Sequence, residues 1–104
     1  MLIYLGMDKT VIKFWANGCG NCKALAPTID TLAQEYIDIN FESVNTADAE
    51  EAVEKYGVTS LPTLVFLNGS EMVAKMVGLK PKSLVERKLV EVFLSDSNAA
   101  AAAN

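Results

Sequence analysis

Cys19 and Cys22 are the only cysteines of the chain, three positions apart with Gly20 and Asn21 between them. Two thiols at that spacing can exchange electrons as a dithiol/disulfide couple, or supply half of a metal site. A structural zinc ion takes four Cys or His ligands. With no third cysteine and no histidine, one chain cannot supply that set, and no metal is expected. The missing histidine also excludes Ser-His-Asp and Cys-His catalysis. Thiol exchange remains, with a buried inert pair as the plain alternative. The nucleophile in exchange is the thiolate, and the N-terminus of a helix favours it through unpaired backbone N–H groups and the positive end of the dipole. Cys19 at such a helix start would be the exposed, attacking sulfur. Cys22, about one turn further in, would be the buried sulfur that resolves the mixed disulfide. Lys23 adds a positive charge beside them.

The elements that must deliver this arrangement are legible on either side. Residues 10–16 form a β-branched and aromatic run, interrupted by Lys13, that predicts a buried strand. Asn17-Gly18 breaks it. From residue 20 to about 37 the pattern turns helical, with Leu25, Ile29, Leu32, Ala33 and Tyr36 on one face. Pro27 lies inside this helix and is expected to kink it. A second strand is predicted over 41–45. A short helix over 48–56 follows, with Glu50, Glu51 and Lys55 on its wet side and Gly57 just past its end. Strands over 63–67 and 72–77 flank the turn dipeptide Asn68-Gly69 and read as a hairpin ended by Gly78. Ser83 and Glu86 have capping-box spacing. Val85, Leu89, Val92 and Phe93 then give a last apolar helical face.

The order strand, helix, strand, helix, hairpin, helix predicts an α/β fold. The first two strands, joined by a helical crossover, should be parallel, and the hairpin adds an antiparallel pair. Helices on both faces of a mixed four-stranded sheet follow. Residues 2–5 are also strand-like, as a fifth edge strand or a lead into the first, with no room for a βα unit of their own. The length of 104 residues suits one domain, assigned to 1–94, with 95–104 as a frayed or disordered tail rich in alanine. The net charge of −4 and the lack of a basic stripe argue against nucleic acid. No apolar run approaches the length that spans a bilayer, and residues 1–7 lack the features of a secretory signal. A cytoplasmic monomer is the expectation, and in that compartment paired cysteines are more often catalytic than structural.

Two segments, read together with Pro27, carry a family resemblance. They are Phe14-Trp15-Ala16-Asn17-Gly18-Cys19-Gly20-Asn21-Cys22-Lys23 and Tyr56-Gly57-Val58-Thr59-Ser60-Leu61-Pro62-Thr63. In this order and spacing they resemble thioredoxin, over about residues 10–94. The resemblance implies a thioredoxin-like fold and a protein-disulfide reductase whose only redox group is its own Cys19–Cys22 disulfide. It implies protein disulfides as substrates and an external electron donor such as a thioredoxin reductase. It further implies a cis bond between Leu61 and Pro62, and a substrate groove of Trp15, Gly18, Gly20, Leu61, Pro62 and the turn Val77-Gly78-Leu79.

The chain also departs from that family. Gly20-Asn21 stands where Gly-Pro is usual, which releases a backbone torsion and restores an N–H donor. Lys13 stands where a buried aspartate usually serves the resolving thiol. A buried, neutral Lys13 would act as a base; with its stem buried and its head in water it would act only as a positive charge, the reading favoured here. Ser43 occupies the strand position of the lysine that commonly partners that aspartate. Gly18 replaces a common tryptophan, and the N-terminus is short by the family's first helix. A glutaredoxin-like, isomerase or oxidase activity, or a binding module on the same scaffold, are the competing readings.

Overall fold

The computed structural model describes residues 9–94. The proposed edge strand at 2–5 and the tail at 95–104 lie outside them. Strand β1 (Lys9–Trp15) leads into helix α1 (Gly20–Glu35), and β2 (Asn40–Asn45) follows. Helix α2 (Glu50–Lys55), the hairpin β3 (Thr63–Asn68) and β4 (Glu71–Val77), and helix α3 (Lys82–Leu89) complete the order. The sheet runs β2-β1-β3-β4. β1 is parallel to β2 and antiparallel to β3, and β3 is antiparallel to β4. This is the mixed four-stranded sheet expected from the element order.

The two central strands explain both faces. Alternation along β1 and β3 sends Val11, Leu64 and Phe66 to one side, where Leu25, Ile29 and Leu32 of α1 meet Val85, Leu89 and Phe93. Ile12, Phe14, Val65 and Leu67 go to the other side and pack with Ala52, Val53 and Tyr56 of the α2 segment. β3 is buried from Thr63 through Leu67, as a central strand covered by helices must be.

Several boundaries move, each for a local reason. α1 stops at Glu35, not 37; Ile39 N–H donates to Tyr36 O and turns the chain, leaving Ile37 exposed. The helix expected over 48–56 is two pieces. The Asn45 side chain accepts from Ala47 N–H and opens a 3-10 turn, Thr46–Asp48, before Ala49 leaves helical torsions (φ -144, ψ 54) and α2 begins. α2 ends as the sequence suggests. Gly57 takes φ +65, its N–H bonds Glu54 O and Val58 N–H bonds Val53 O. That is a Schellman cap, which a side chain at Gly57 would strain.

The Ser83–Glu86 capping box does not form. α3 starts two residues earlier, with Pro81 in the capping position and no side-chain cap, so Ser83 already lies within the first turn. Glu86 is engaged elsewhere: it accepts from Tyr36 OH and pairs with Lys82 at 3.5 Å. Past Leu89 the chain continues as a wider π-type turn, Val90–Leu94, that still buries Phe93.

Candidate active site

The site begins where β1 ends. Gly18 takes φ +84, a conformation that side chains rarely adopt, and this turn delivers Cys19 to the N-cap of α1. A Cβ there would have room, since nothing lies within 4 Å of it. The backbone conformation, not crowding, accounts for glycine at this position. Cys19 Sγ accepts from the Cys22 N–H at 3.1 Å, so the sulfur takes the place that a serine or aspartate oxygen holds in ordinary helix caps. The same N–H is aimed at the sulfur where a thiolate would carry its charge. Cys19 and Cys22 are joined as a disulfide with Cα atoms 5.2 Å apart. Cys22 is 3 % exposed, whereas Cys19 is only half-buried and the flanking Gly18, Gly20 and Asn21 are exposed.

A cavity of about 230 Å³ opens against this disulfide. Lys13, Trp15, Gly18, Cys19, Cys22 and Lys23 all line it, and the small side chains of Ala16 and Ala26 leave it open. Asn17 completes the wall. Ala16 and Asn17 enter the sequence reading only through the segment around the cysteines, and Ala26 does not enter it. Ala26 follows Cys22 by four residues, so helical spacing placed it beneath that sulfur.

Lys13 sits in mid-β1, opposite Ser43 on β2 and Leu64 on β3. By alternation it shares the face of Val11 and Trp15, the face that α1 covers. It is half-buried, and among the described residues neither Lys13 nor Lys23 has an ion-pair partner. Ser43 is exposed and supplies no charge. Trp15 lines the cavity, and among the described residues its buried indole Nε1 has no hydrogen-bond acceptor.

A second cluster forms without touching the cavity. Thr63 pairs with Val77, and Gly78 N–H donates to Pro62 O at 2.8 Å, so the turn after β4 is fastened to Pro62. The Leu61–Pro62 bond is cis. Pro62 is buried and Leu61 half-buried, while Val77 and Leu79 are 43 % and 44 % exposed. None of Leu61, Pro62, Val77, Gly78 and Leu79 is among the residues that line the cavity. Among the described residues no group of three or more His, Cys, Asp or Glu side chains is placed to hold a metal ion.

Comparison with known proteins gives the relationship. The family described as Thioredoxin matches residues 4–91. The chain is 32% identical over 88 residues to a thioredoxin of Alicyclobacillus acidocaldarius, covering 83% of this chain and 84% of that one. It is 35% identical over 88 residues to the chloroplastic M-type thioredoxin of Zea mays; there it covers 84% of itself but only 52% of the longer maize protein. The reduced thioredoxin of Schistosoma mansoni superposes with a TM-score of 0.76 at 31% identity, over 84% of this chain and 80% of that one. By its sequence, its sheet and the dithiol at the head of α1, the chain belongs to the thioredoxin family of thiol–disulfide oxidoreductases.

Proposed function

We propose that the protein reduces protein disulfides, with Cys19 as the attacking and Cys22 as the resolving sulfur. The observation that carries this is the asymmetry of the pair: both sulfurs lie at the start of α1, one half-buried and one 3 % exposed. In the reduced protein, Cys19 thiolate attacks one sulfur of the substrate disulfide. The substrate S–S bond breaks, and one half leaves as a thiolate that takes a proton from water. Cys22 then gives up its proton and attacks Cys19 Sγ. The mixed disulfide breaks, the second half leaves as a thiol, and the Cys19–Cys22 disulfide remains. Two electrons have passed to the substrate, and an external dithiol donor must return them. The Cys22 N–H aimed at Cys19 Sγ favours the thiolate at the first step.

The surface of Leu61, Pro62, Val77, Gly78 and Leu79 is the proposed seat for the extended substrate segment, with Trp15, Gly18 and Gly20 at its border. Backbone pairing beside Pro62 would supply affinity, and the exposed Val77 and Leu79 apolar contact. Asn21, in the first turn of α1, tunes the couple by its restored N–H. The redox group is the protein's own cysteine pair, and neither metal nor nucleic acid takes part. We assign the working unit to a monomer, residues 1–94, in the cytoplasm, with a thioredoxin reductase as the donor. No described helix is long and apolar enough to cross a membrane, which is compatible with that assignment.

The decisive experiment is trapping. Cys22→Ser should accumulate mixed disulfides with protein substrates, and Cys19→Ser should not. If Cys19→Ser is the efficient trap, the roles are reversed. If a Cys19→Ser, Cys22→Ser chain retains the biological activity, the scaffold is a binding module and its redox chemistry incidental.

A further inference from the structure

We propose that the cavity on the Lys13 side of the disulfide seats a carboxylate of the substrate, so that the protein prefers disulfides bearing an acid group close to the sulfur. This rests on the disulfide-reductase reading above and narrows its substrate class.

Charge is the first observation. Two lysines, Lys13 and Lys23, line a cavity that both site cysteines also line. None of the residues lining it is an Asp or Glu. Neither lysine has an ion-pair partner among the described residues. The chain as a whole carries a net charge of −4, so this local excess of positive charge runs against the global balance.

Position is the second observation. Lys13 stands on a central strand between Ser43 and Leu64, on the face that α1 covers. An apolar side chain would pack there at no electrostatic cost. Lys13 is half-buried and has no ion-pair partner among the described residues, so an arriving carboxylate would supply one. Such a pair is screened less than one on the open surface.

Size is the third. About 230 Å³ holds the equivalent of roughly seven or eight waters, enough for a short mercapto-acid arm or one acidic side chain. The surface around Pro62 lies outside the cavity, so an extended segment bound there leaves the cavity free for a side chain next to the reacting cysteine. The acid group can belong to a free mercapto-acid disulfide or to a residue beside a protein's cysteine. Either way the exchange is the same two-electron reaction, with the carboxylate held and unchanged.

The test uses the pre-reduced full chain in single-turnover mixing, with no external donor, read by Trp15 fluorescence. Three disulfides on the same two-carbon arm differ in their end groups: dithiodipropionate carries carboxylates, 2-hydroxyethyl disulfide neutral hydroxyls and cystamine ammonium groups. Each rate is divided by that disulfide's rate with a free thiolate. The anion should react at least tenfold faster than the neutral compound, the cation slowest, and the advantage should shrink with added salt. Lys13→Gln and the exposed Lys23→Gln should each lower the anion-to-neutral ratio by threefold or more. A pair of cystine peptides flanked by Glu or by Gln supplies the second arm. Preference for the Glu peptide makes an acidic protein segment the source; preference for the small acid alone makes it a free mercapto acid. Equal normalised rates for anion and neutral compound, or a ratio unmoved in both variants, overturn the proposal and leave the reductase reading intact. Failure to reduce any of the disulfides sinks that reading, and this one with it.

Discussion

Lys13 differs from an ordinary core residue by one charge, and that charge has a thermodynamic sign. A cation beside the dithiol stabilises thiolate over disulfide, so it favours the reduced form and makes the couple more oxidising. A single charge at an effective dielectric of ~20 and ~6–8 Å is worth about 2–3 kcal/mol, and partial screening leaves about 1–2 kcal/mol, or roughly 20–40 mV for a two-electron couple. Lys13→Met keeps much of the stem and removes the charge. The variant should show a lower reduction potential and a less acidic Cys19 thiol, measured by redox titration and alkylation rate against pH. If both stay put, the ammonium is fully screened and only packs. Gly18 makes a different prediction. Its φ of +84 means that Gly18→Ala is strained by about 1–2 kcal/mol although the space is open. Chemical denaturation should register that loss. A neutral result would mean that the turn relaxes to accept a side chain, and that glycine serves access to Cys19 rather than backbone geometry.

The helix ends carry the next level. Tyr36, at the C-cap of α1, donates its hydroxyl to Glu86 in α3, and Lys82 bridges Glu86 and Glu35. The bond to Glu86 pushes the Tyr36 phenol up from 10.0 to about 12, helped by burial and by the charge of the carboxylates. The same bond holds Glu86 below its usual 4.5, with burial opposing and Lys82 reinforcing. The two shifts act at opposite ends of the pH scale. Glu86 stabilises the fold above its unfolded value, and that contribution is lost as pH falls below about 4.5. The phenol keeps its proton when folded, so its contribution is whole below pH 10 and disappears as pH rises toward 12. Glu86→Gln should flatten the acid limb of a stability profile and Tyr36→Phe the alkaline limb. An acid limb unchanged in Glu86→Gln would show that this tie does not bear on stability. The tie could not be read from the sequence, because it joins residues 50 positions apart. The same interaction explains why the capping box misled: Glu86 had a stronger partner in three dimensions than the local one its spacing suggested. By contrast α1 was legible because periodicity, Asn17-Gly18 and the cysteine spacing agree locally. The cavity was legible only in part. Its charged and sulfur-bearing walls stood out, while the alanines that leave it open look like ordinary helix and strand residues.

At the scale of the whole molecule, β1 and β3 serve both cores at once. Val11, Leu64 and Phe66 belong to the layer under α1 and α3, while Ile12, Phe14, Val65 and Leu67 belong to the layer over α2. The two layers therefore share their backbone, and losing either should release the other. Phe93 tests this from the far end of the chain. It is 3 % exposed and lies against Phe66 with ring centroids 6.1 Å apart. It belongs to a different layer from the Phe14 and Tyr56 rings, which pair across the other face. Truncating a buried Phe to Ala costs about 3–5 kcal/mol. In a domain of this size that lowers Tm by more than about 10 °C. If the layers are one cooperative unit, Phe93→Ala lowers the midpoint by the same amount in far-UV circular dichroism, which reports the whole backbone, and in the fluorescence of Trp15, which reports the end of β1 beside the disulfide. The variant's CD midpoint falling while its Trp15 midpoint stays would mean that the end of β1 does not unfold with the C-terminal packing. The dithiol would then sit on a subdomain that survives loss of the C-terminal packing. Coincident shifts would instead make the reactivity of Cys19 hostage to a phenylalanine 74 positions away in the chain.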